Sequence, residues 1–259
     1  DNNITTYGID NFANVLAKDI TVTNSYVAFE SSEPSQQYLM PVIEYSYVNA
    51  SGIQPHMSYY SFSAGSAGTG YVNSFNGELV FAHNVFTTAD EIMPYTFSIY
   101  MDGRSMAIVY PFTDSENITR YCWERADGSI IWFSPLAERN PNGTYEFYEY
   151  SESGLRVPTS NITKYYDESG LGLQLEIDEN GQQIISNDTG NQRCFAENLK
   201  WIKDSYGNTR YFTFENSNTI ISLKPNGVEN PIPQIKIGYI SGNLCIQNLQ
   251  TGVIAQMVH

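Results

Sequence analysis

The feature that most constrains this chain is one kind of turn, written repeatedly along it. Met101-Asp-Gly103, Ala126-Asp-Gly128, Asn140-Pro-Asn-Gly143, Asp167-Glu-Ser-Gly170, Asp178-Glu-Asn-Gly181, Asp204-Ser-Tyr-Gly207 and Pro225-Asn-Gly227 each close a short polar stretch with glycine. Glycine or Asn supplies the positive φ that tight hairpin turns demand, and Asp or Asn side chains hydrogen-bond the backbone a few residues on. Between the turns lie strand-length segments rich in aromatic and β-branched residues, among them Ser129-Ile-Ile-Trp-Phe133, Tyr145-Glu-Phe-Tyr-Glu-Tyr150 and Arg210-Tyr-Phe-Thr-Phe214. Upstream, Tyr71–Phe75 and Glu78–His83 flank Asn76-Gly77, the strongest short-range hairpin signal. No long 3.6-period segment interrupts this pattern, and the spacing is irregular, as in a degenerate hairpin array rather than a strict solenoid. The fold class that follows is all-β: an antiparallel meander of consecutive β-hairpins, forming a sandwich-like or curled sheet.

The N-terminal region reads differently. Asp10–Lys18 carries an Asp cap and spaced apolar positions, which predict either a short helix or an irregular segment. Ile20–Phe29 and Tyr38–Val48 have strand length and composition, with Pro41 placing the second at an edge or a bulge. Asn49–Pro55 is a turn-rich linker. The expected organisation is a strand-rich leader over 1–52 and a hairpin domain over 53–259.

Composition excludes several function classes. A hydrophobic share of 41% and an aromatic share of 14% are far above what disordered segments carry. Thirteen Lys+Arg against 28 Asp+Glu leave a net charge of −15 with no basic cluster, so nucleic acid and anionic membrane surfaces are unsuitable partners. No run approaches the roughly 18 apolar residues of a membrane span, so no membrane insertion is expected. Residue 1 opens no leader-like pattern, which fits either a protein that is not exported or a chain that begins inside a larger precursor. Cys122, Cys194 and Cys245 are widely spaced with no CxxC pair; three buried thiols are expected rather than a zinc site or a disulfide framework. Six N-x-[ST] sequons, at Asn3, Asn49, Asn117, Asn142, Asn161 and Asn187, arise by chance in an Asn-rich chain.

Two stretches resemble a known family. Tyr59-Tyr60…Ser63-Ala-Gly-Ser-Ala-Gly-Thr-Gly-Tyr-Val-Asn73…Asn76-Gly77-x-Leu79-Val80-Phe81-x-His83 is similar to the segment that precedes the repeats in wall-associated YD-repeat (Rhs-type) proteins of Gram-positive bacteria. Tyr166-Asp167-Glu-Ser-Gly170-Leu171, followed by Ile177-Asp178-Glu-Asn-Gly181, resembles the YD repeat itself, and residues 199–223 continue in the same style. Residues 20–52 are similar to the last strands of a β-sandwich module found upstream in that family. The sequence departs from the family after Met93-Pro94, where Arg104–Thr119 replaces a Gly/Trp-rich block, and its clean YD units are few. These departures weigh against a closed, toxin-enclosing shell. The resemblance implies a structural or adhesion module, secreted and cell-wall associated, whose partners are the rest of a larger surface protein or another cell-surface protein.

Candidate chemistry is sparse. Gly65-Ser-Ala-Gly-Thr-Gly70 lacks the Lys-[Ser/Thr] and following helix of a phosphate loop, and close backbone approach explains its glycines better. A Ser-His-Asp arrangement would need His56, His83 or His259, and no G-x-S-x-G elbow exists. Glu124, Glu146, Glu149 and Glu176 lie on or beside expected strands, with Glu146 and Glu149 on opposite faces by alternation. Glu176-Ile-Asp178-Glu-Asn180-Gly181 approaches a calcium loop but carries Glu at its first position and Asn187 at its twelfth, so it reads as a hairpin turn. No catalytic residue, metal ligand or cofactor is assigned, and the chain is read as non-catalytic. The alternative function is carbohydrate binding to cell-wall or host glycans, through Trp123, Trp132, Trp201 or the Tyr145–Tyr150 strand. Exposed, coplanar rings would favour it.

Overall fold

The computed structural model describes residues 15–28, 39–49, 52–54, 57–88, 90–101, 104–151, 153–168, 170–240 and 243–257. Among them the protein is all-β and antiparallel, with a single 3-10 turn at Gly65–Ala67. Strands β1 (Val15–Ala28) and β2 (Leu39–Asn49) form a two-stranded sheet. Strands β3 (Tyr59–Ser63), β4 (Thr69–Asn73), β5 (Leu79–Thr87) and β6 (Thr96–Tyr100) form a four-stranded meander. The main sheet begins with β7 (Ile108–Thr113), β8 (Thr119–Glu124) and β9 (Ile130–Ser134). The chain then leaves it for a small sheet of β10 (Ala137–Arg139), β11 (Tyr145–Tyr150) and β12 (Arg156–Pro158). It returns through β13 (Lys164–Asp167), which pairs with β9, then β14 (Gln174–Ile177), β15 (Gln183–Ser186) and β16 (Gln192–Ala196). Strands β17 (Asn198–Lys203), β18 (Thr209–Glu215), β19 (Asn218–Lys224), β20 (Ile232–Ile240), β21 (Asn243–Asn248) and β22 (Ile254–Met257) complete a thirteen-stranded sheet.

The helix or irregular segment expected over Asp10–Lys18 is corrected where it can be seen: Val15–Lys18 belongs to β1, paired with Tyr47–Asn49, while Asp10–Asn14 lie outside the described residues. Nine residues are too few for a helix to stand on propensity alone, and β2 offers a partner for the β-branched run that follows. Pro41 sits beside an irregularity in the β1–β2 register, at the edge of a two-stranded sheet.

The turns explain the meander. At residues 114, 125, 140, 151, 178, 187 and 204 the amide of the first turn residue donates to the carbonyl four residues on, and the amide of the fourth donates back to the first carbonyl. That is a tight turn followed by one residue with positive φ. The fourth residue is glycine in six of the seven turns and Asn117 (φ 60°) in the other. Where the first residue is acidic its carboxylate accepts the amides of the third and fifth residues: Asp114 from Glu116 and Ile118, Asp178 from Asn180 and Gln182, Asp204 from Tyr206 and Asn208. Asp167 of the Tyr-Asp unit does the same for a longer loop, accepting from Leu171 and Leu173. The expected turn at Met101–Gly103 closes through Tyr100 and Arg104, with Asp102 and Gly103 outside the described residues.

The main sheet curls without closing into a barrel. Its edge strand β7 pairs only with β8, yet lies against β16 and β17 from the middle of the same sheet. The curl buries Val109, Trp123, Phe133, Leu175, Phe195 and Ile221, with Phe97 of β6 joining them. Each such side chain is worth about 1.5–3 kcal/mol when fully withdrawn from water. Cys122, Cys194 and Cys245 are free and buried.

Candidate functional site

One cross-strand row along the inner face of the curl carries the chemistry. Direct neighbours from β13 to β20 run Tyr165, Leu175, Ile185, Arg193, Ile202, Arg210, Leu223, Ile232. Two arginines therefore occupy positions that apolar residues hold on neighbouring strands. Alternation puts them there: Arg193 is two residues from the core Phe195, and Arg210 two residues from the core Phe212.

Arg210 is completely buried. Its guanidinium donates to Asp90 at 2.9 Å, to the Gln234 side-chain oxygen at 2.6 Å and to the Met93 carbonyl. It also lies 5.5 Å from the Tyr95 ring centre, and Tyr95 meets Phe212 edge-on at 5.4 Å. The β5–β6 loop is thus fastened to the inner face of the main sheet. Burial lowers the Arg210 pKa, while the hydrogen bond from Arg210 to Asp90 and the Asp90 charge oppose that shift. Burial works to raise Asp90, but hydrogen bonds from Thr88, Met93 and Arg210 prevail and hold its carboxyl below the ordinary value.

Arg193 has a different environment. Its guanidinium stands 5.1 Å over the Trp123 ring, with that of Arg125 5.7 Å from the same ring. Arg125 reaches the Ile53 carbonyl at 3.3 Å and Asp127 at 3.6 Å. Arg193 has neither a carboxylate nor a hydrogen-bond acceptor among the described residues. It is solvent-exposed, yet the surrounding protein and then the Arg125 charge hold its pKa below the ordinary value. A group so placed sits in the wall of a concavity. Two hollows, of about 540 and 230 Å³, meet at Trp123, Arg125, Arg193 and Ile202. The larger has an aliphatic floor that includes Leu171, Leu173 and Ile185, and a polar rim that includes Asp188, Asn191 and Lys203. The buried indole N–H of Trp123 finds no acceptor among the described residues.

The residues singled out from sequence are not brought together. Glu124 pairs with Arg104. Glu146 lies 3.8 Å from Arg156, while Glu149 accepts the amides of Thr163 and Lys164. Glu176 is exposed on β14, opposite Lys164. His83 donates from Nδ1 to the Ala67 carbonyl at 2.8 Å, and His56 and His259 lie outside the described residues. In the Gly-rich stretch Gly68 has φ 133°, and a Cβ there would stand 2.2 Å from the Ala82 carbonyl oxygen, so close backbone contact requires glycine. Trp123 is core, and Trp132 meets Phe112 edge-on at 4.7 Å. Tyr148 and Tyr150 are mutually perpendicular, at 85°, and so offer no coplanar platform. Trp201 is the exception: it stands opposite Tyr211 and lines an outer hollow of about 550 Å³ with Lys224 and Asn226. The motifs of the sequence do not single out the inner arginines, although an arginine two residues from a bulky apolar residue on an alternating strand is a readable signal. Compared with known proteins, the chain matches no family model, no curated protein and no solved structure.

Proposed function

We propose that this chain is a non-catalytic structural or adhesion module of an extracellular, wall-associated bacterial surface protein, of the YD-repeat (Rhs-like) kind. The observation that carries this reading is how the acidic side chains are used. Asp114, Asp167, Asp178 and Asp204 cap hairpin turns, Asp90 clamps Arg210, and Glu124 and Glu149 are engaged by an arginine and by backbone amides. Such carboxylates serve to hold a long meander in register, and the Tyr166-Asp167 unit is one instance of that use. Its partners on this reading are other parts of a larger surface protein or another surface protein. Protease treatment of intact producing cells tests the placement: release of peptides from this chain is expected, and recovery only after lysis would overturn it.

One observation favours a second reading, carbohydrate binding. Trp201 and Tyr211 face each other across β17 and β18 beside Lys224 and Asn226, a pairing of aromatic surface with polar groups that suits sugar rings. A glycan array including peptidoglycan fragments separates the two readings. Silence is the expected result for a structural module; saturable binding abolished by Trp201→Ala would replace it with the carbohydrate reading.

A further inference from the structure

The geometry points to the inner cleft at Arg193 as a binding site for an extended peptide segment that carries Asp or Glu next to bulky apolar side chains. This goes beyond the module reading and needs only the fold. The protein itself displays the mode of recognition. Two strands along the same inward row, Arg210 takes the carboxylate of Asp90 and the carbonyl of Met93 from the segment Asp90-Glu-Ile-Met93. Arg193 presents an equivalent inward guanidinium to an open hollow and has no such partner among the described residues. Arg125 lies against the same indole, so two positive groups converge; Asp127, 3.6 Å from Arg125, partly offsets them, and Asp188 stands exposed on the rim of the same hollow without an ion pair to either arginine. On the rim, the Asp204 carboxylate is already taken by the amides of its own turn. A carboxylate entering between the guanidiniums relieves like-charge repulsion and gains charge-assisted hydrogen bonds from a planar donor.

The rest of the cleft favours peptide over sugar. Its floor is aliphatic, through Ile131, Leu171, Leu173 and Ile185, which receive apolar side chains rather than sugar rings. The Trp123 ring, the only aromatic surface in the larger hollow among the described residues, lies against the two guanidiniums instead of being free to stack on a pyranose.

The test uses the whole chain, labelled with nitrogen-15, titrated with acetyl-Asp-Glu-Ile-Met-Pro-amide and with its Asn-Gln counterpart. Shifts of the Trp123 indole and Arg193 side-chain resonances are expected, with saturation below about 1 mM and at least about tenfold weaker binding for the uncharged peptide. Arg193→Gln should weaken binding of the acidic peptide by a similar factor, and Arg193→Lys by less. If Arg193→Gln does not fold, the comparison of the two peptides on the unaltered protein still decides the matter. Equal binding of the two peptides, unchanged affinity in a folded Arg193→Gln, or no shifts with either peptide would overturn the proposal. So would a response of the same resonances to oligoglucuronate with the peptide silent, which would assign the cleft to acidic glycans.

Discussion

Arg210 and Arg193 occupy the same inward-facing row of one curled sheet, two strands apart, and share little else. Arg210 is sealed from water and held by a carboxylate, an amide oxygen and a backbone carbonyl, two of them supplied by a loop about 120 residues away in sequence. Arg193 is open to solvent, leans on an indole and faces a second arginine. A buried charge has to be neutralised and hydrogen-bonded or the fold loses several kcal/mol, so the Arg210 environment is a fastening. Arg193, at the mouth of a hollow, loses part of its hydration to the surrounding protein but keeps an exposed side, so the fold does not have to supply it a counter-charge. The difference teaches that inward position alone does not make a residue structural: what matters is whether the chain supplies its counter-charge.

The largest effect expected from this contrast comes from removing the counter-charge. Asp90→Asn leaves Arg210 buried beside a neutral amide and should cost about 3–5 kcal/mol of stability in urea denaturation. Replacing the pair together, with Asp90→Leu and Arg210→Met, should recover most of that loss, because the desolvation penalty disappears with the charges. A double variant as unstable as Asp90→Asn would mean that packing, not charge, fastens the loop.

Next in size is an alkaline effect at the same fastening. Burial pushes the Tyr95 phenol up to about 12. Because the folded value lies above the unfolded one of 10.0, the neutral phenol's contribution is fully present below pH 10 and is lost as pH rises through about 12. The loss is on the order of 2 kcal/mol. Tyr95→Phe should therefore lose less stability than the natural protein between those pH values, and parallel curves would remove Tyr95 from the account. Asp90 gives the acid counterpart. Its folded value is depressed, so its contribution is complete above the ordinary 3.8 and falls away as pH drops through the lower folded value. Asp90→Asn should flatten that part of the acid limb, and an unchanged slope there would count against the Asp90–Arg210 pair.

The two environments also differ in how readable they were. The turns were legible because their chemistry is local: Asp178-Glu-Asn-Gly181 and Asp204-Ser-Tyr-Gly207 contain the cap, the glycine and the closure within five residues. The all-β class and the antiparallel hairpins followed from them; the excursion through β10–β12 and the return of β13 to β9 did not. The curl was not legible, because it depends on twist accumulated over many strands and on which edge returns to meet β16. The site depended on it in turn. Arg193-Cys-Phe195 and Arg210-Tyr-Phe212 announce inward arginines by alternation, but nothing near them in sequence says that Asp90 waits for one and not the other. Glu residues on strands suggest enzyme chemistry because carboxylates so often carry it, whereas here neighbours in space commit Glu124 and Glu146 to arginines and Glu149 to backbone amides, and Glu176 is exposed.

The smallest expected effect sharpens the contrast most. Arg193→Gln removes a charge that has no carboxylate partner among the described residues, so no buried ion is left behind. It gives up a cation–π contact worth about 0.5–1 kcal/mol at an exposed site, and it removes repulsion from Arg125 that acts in the opposite direction. The two nearly cancel, and the net change in stability should stay within about 0.5 kcal/mol, as for surface substitutions generally. Urea denaturation of Arg193→Gln beside Asp90→Asn, at one pH and salt concentration, measures the difference directly. A loss of several kcal/mol for Arg193→Gln would mean that this arginine, too, fastens the fold, and the cleft would then have no charge to spare for a ligand. A near-neutral change leaves a guanidinium that the fold holds in place without using, which is the condition for one that binds something else.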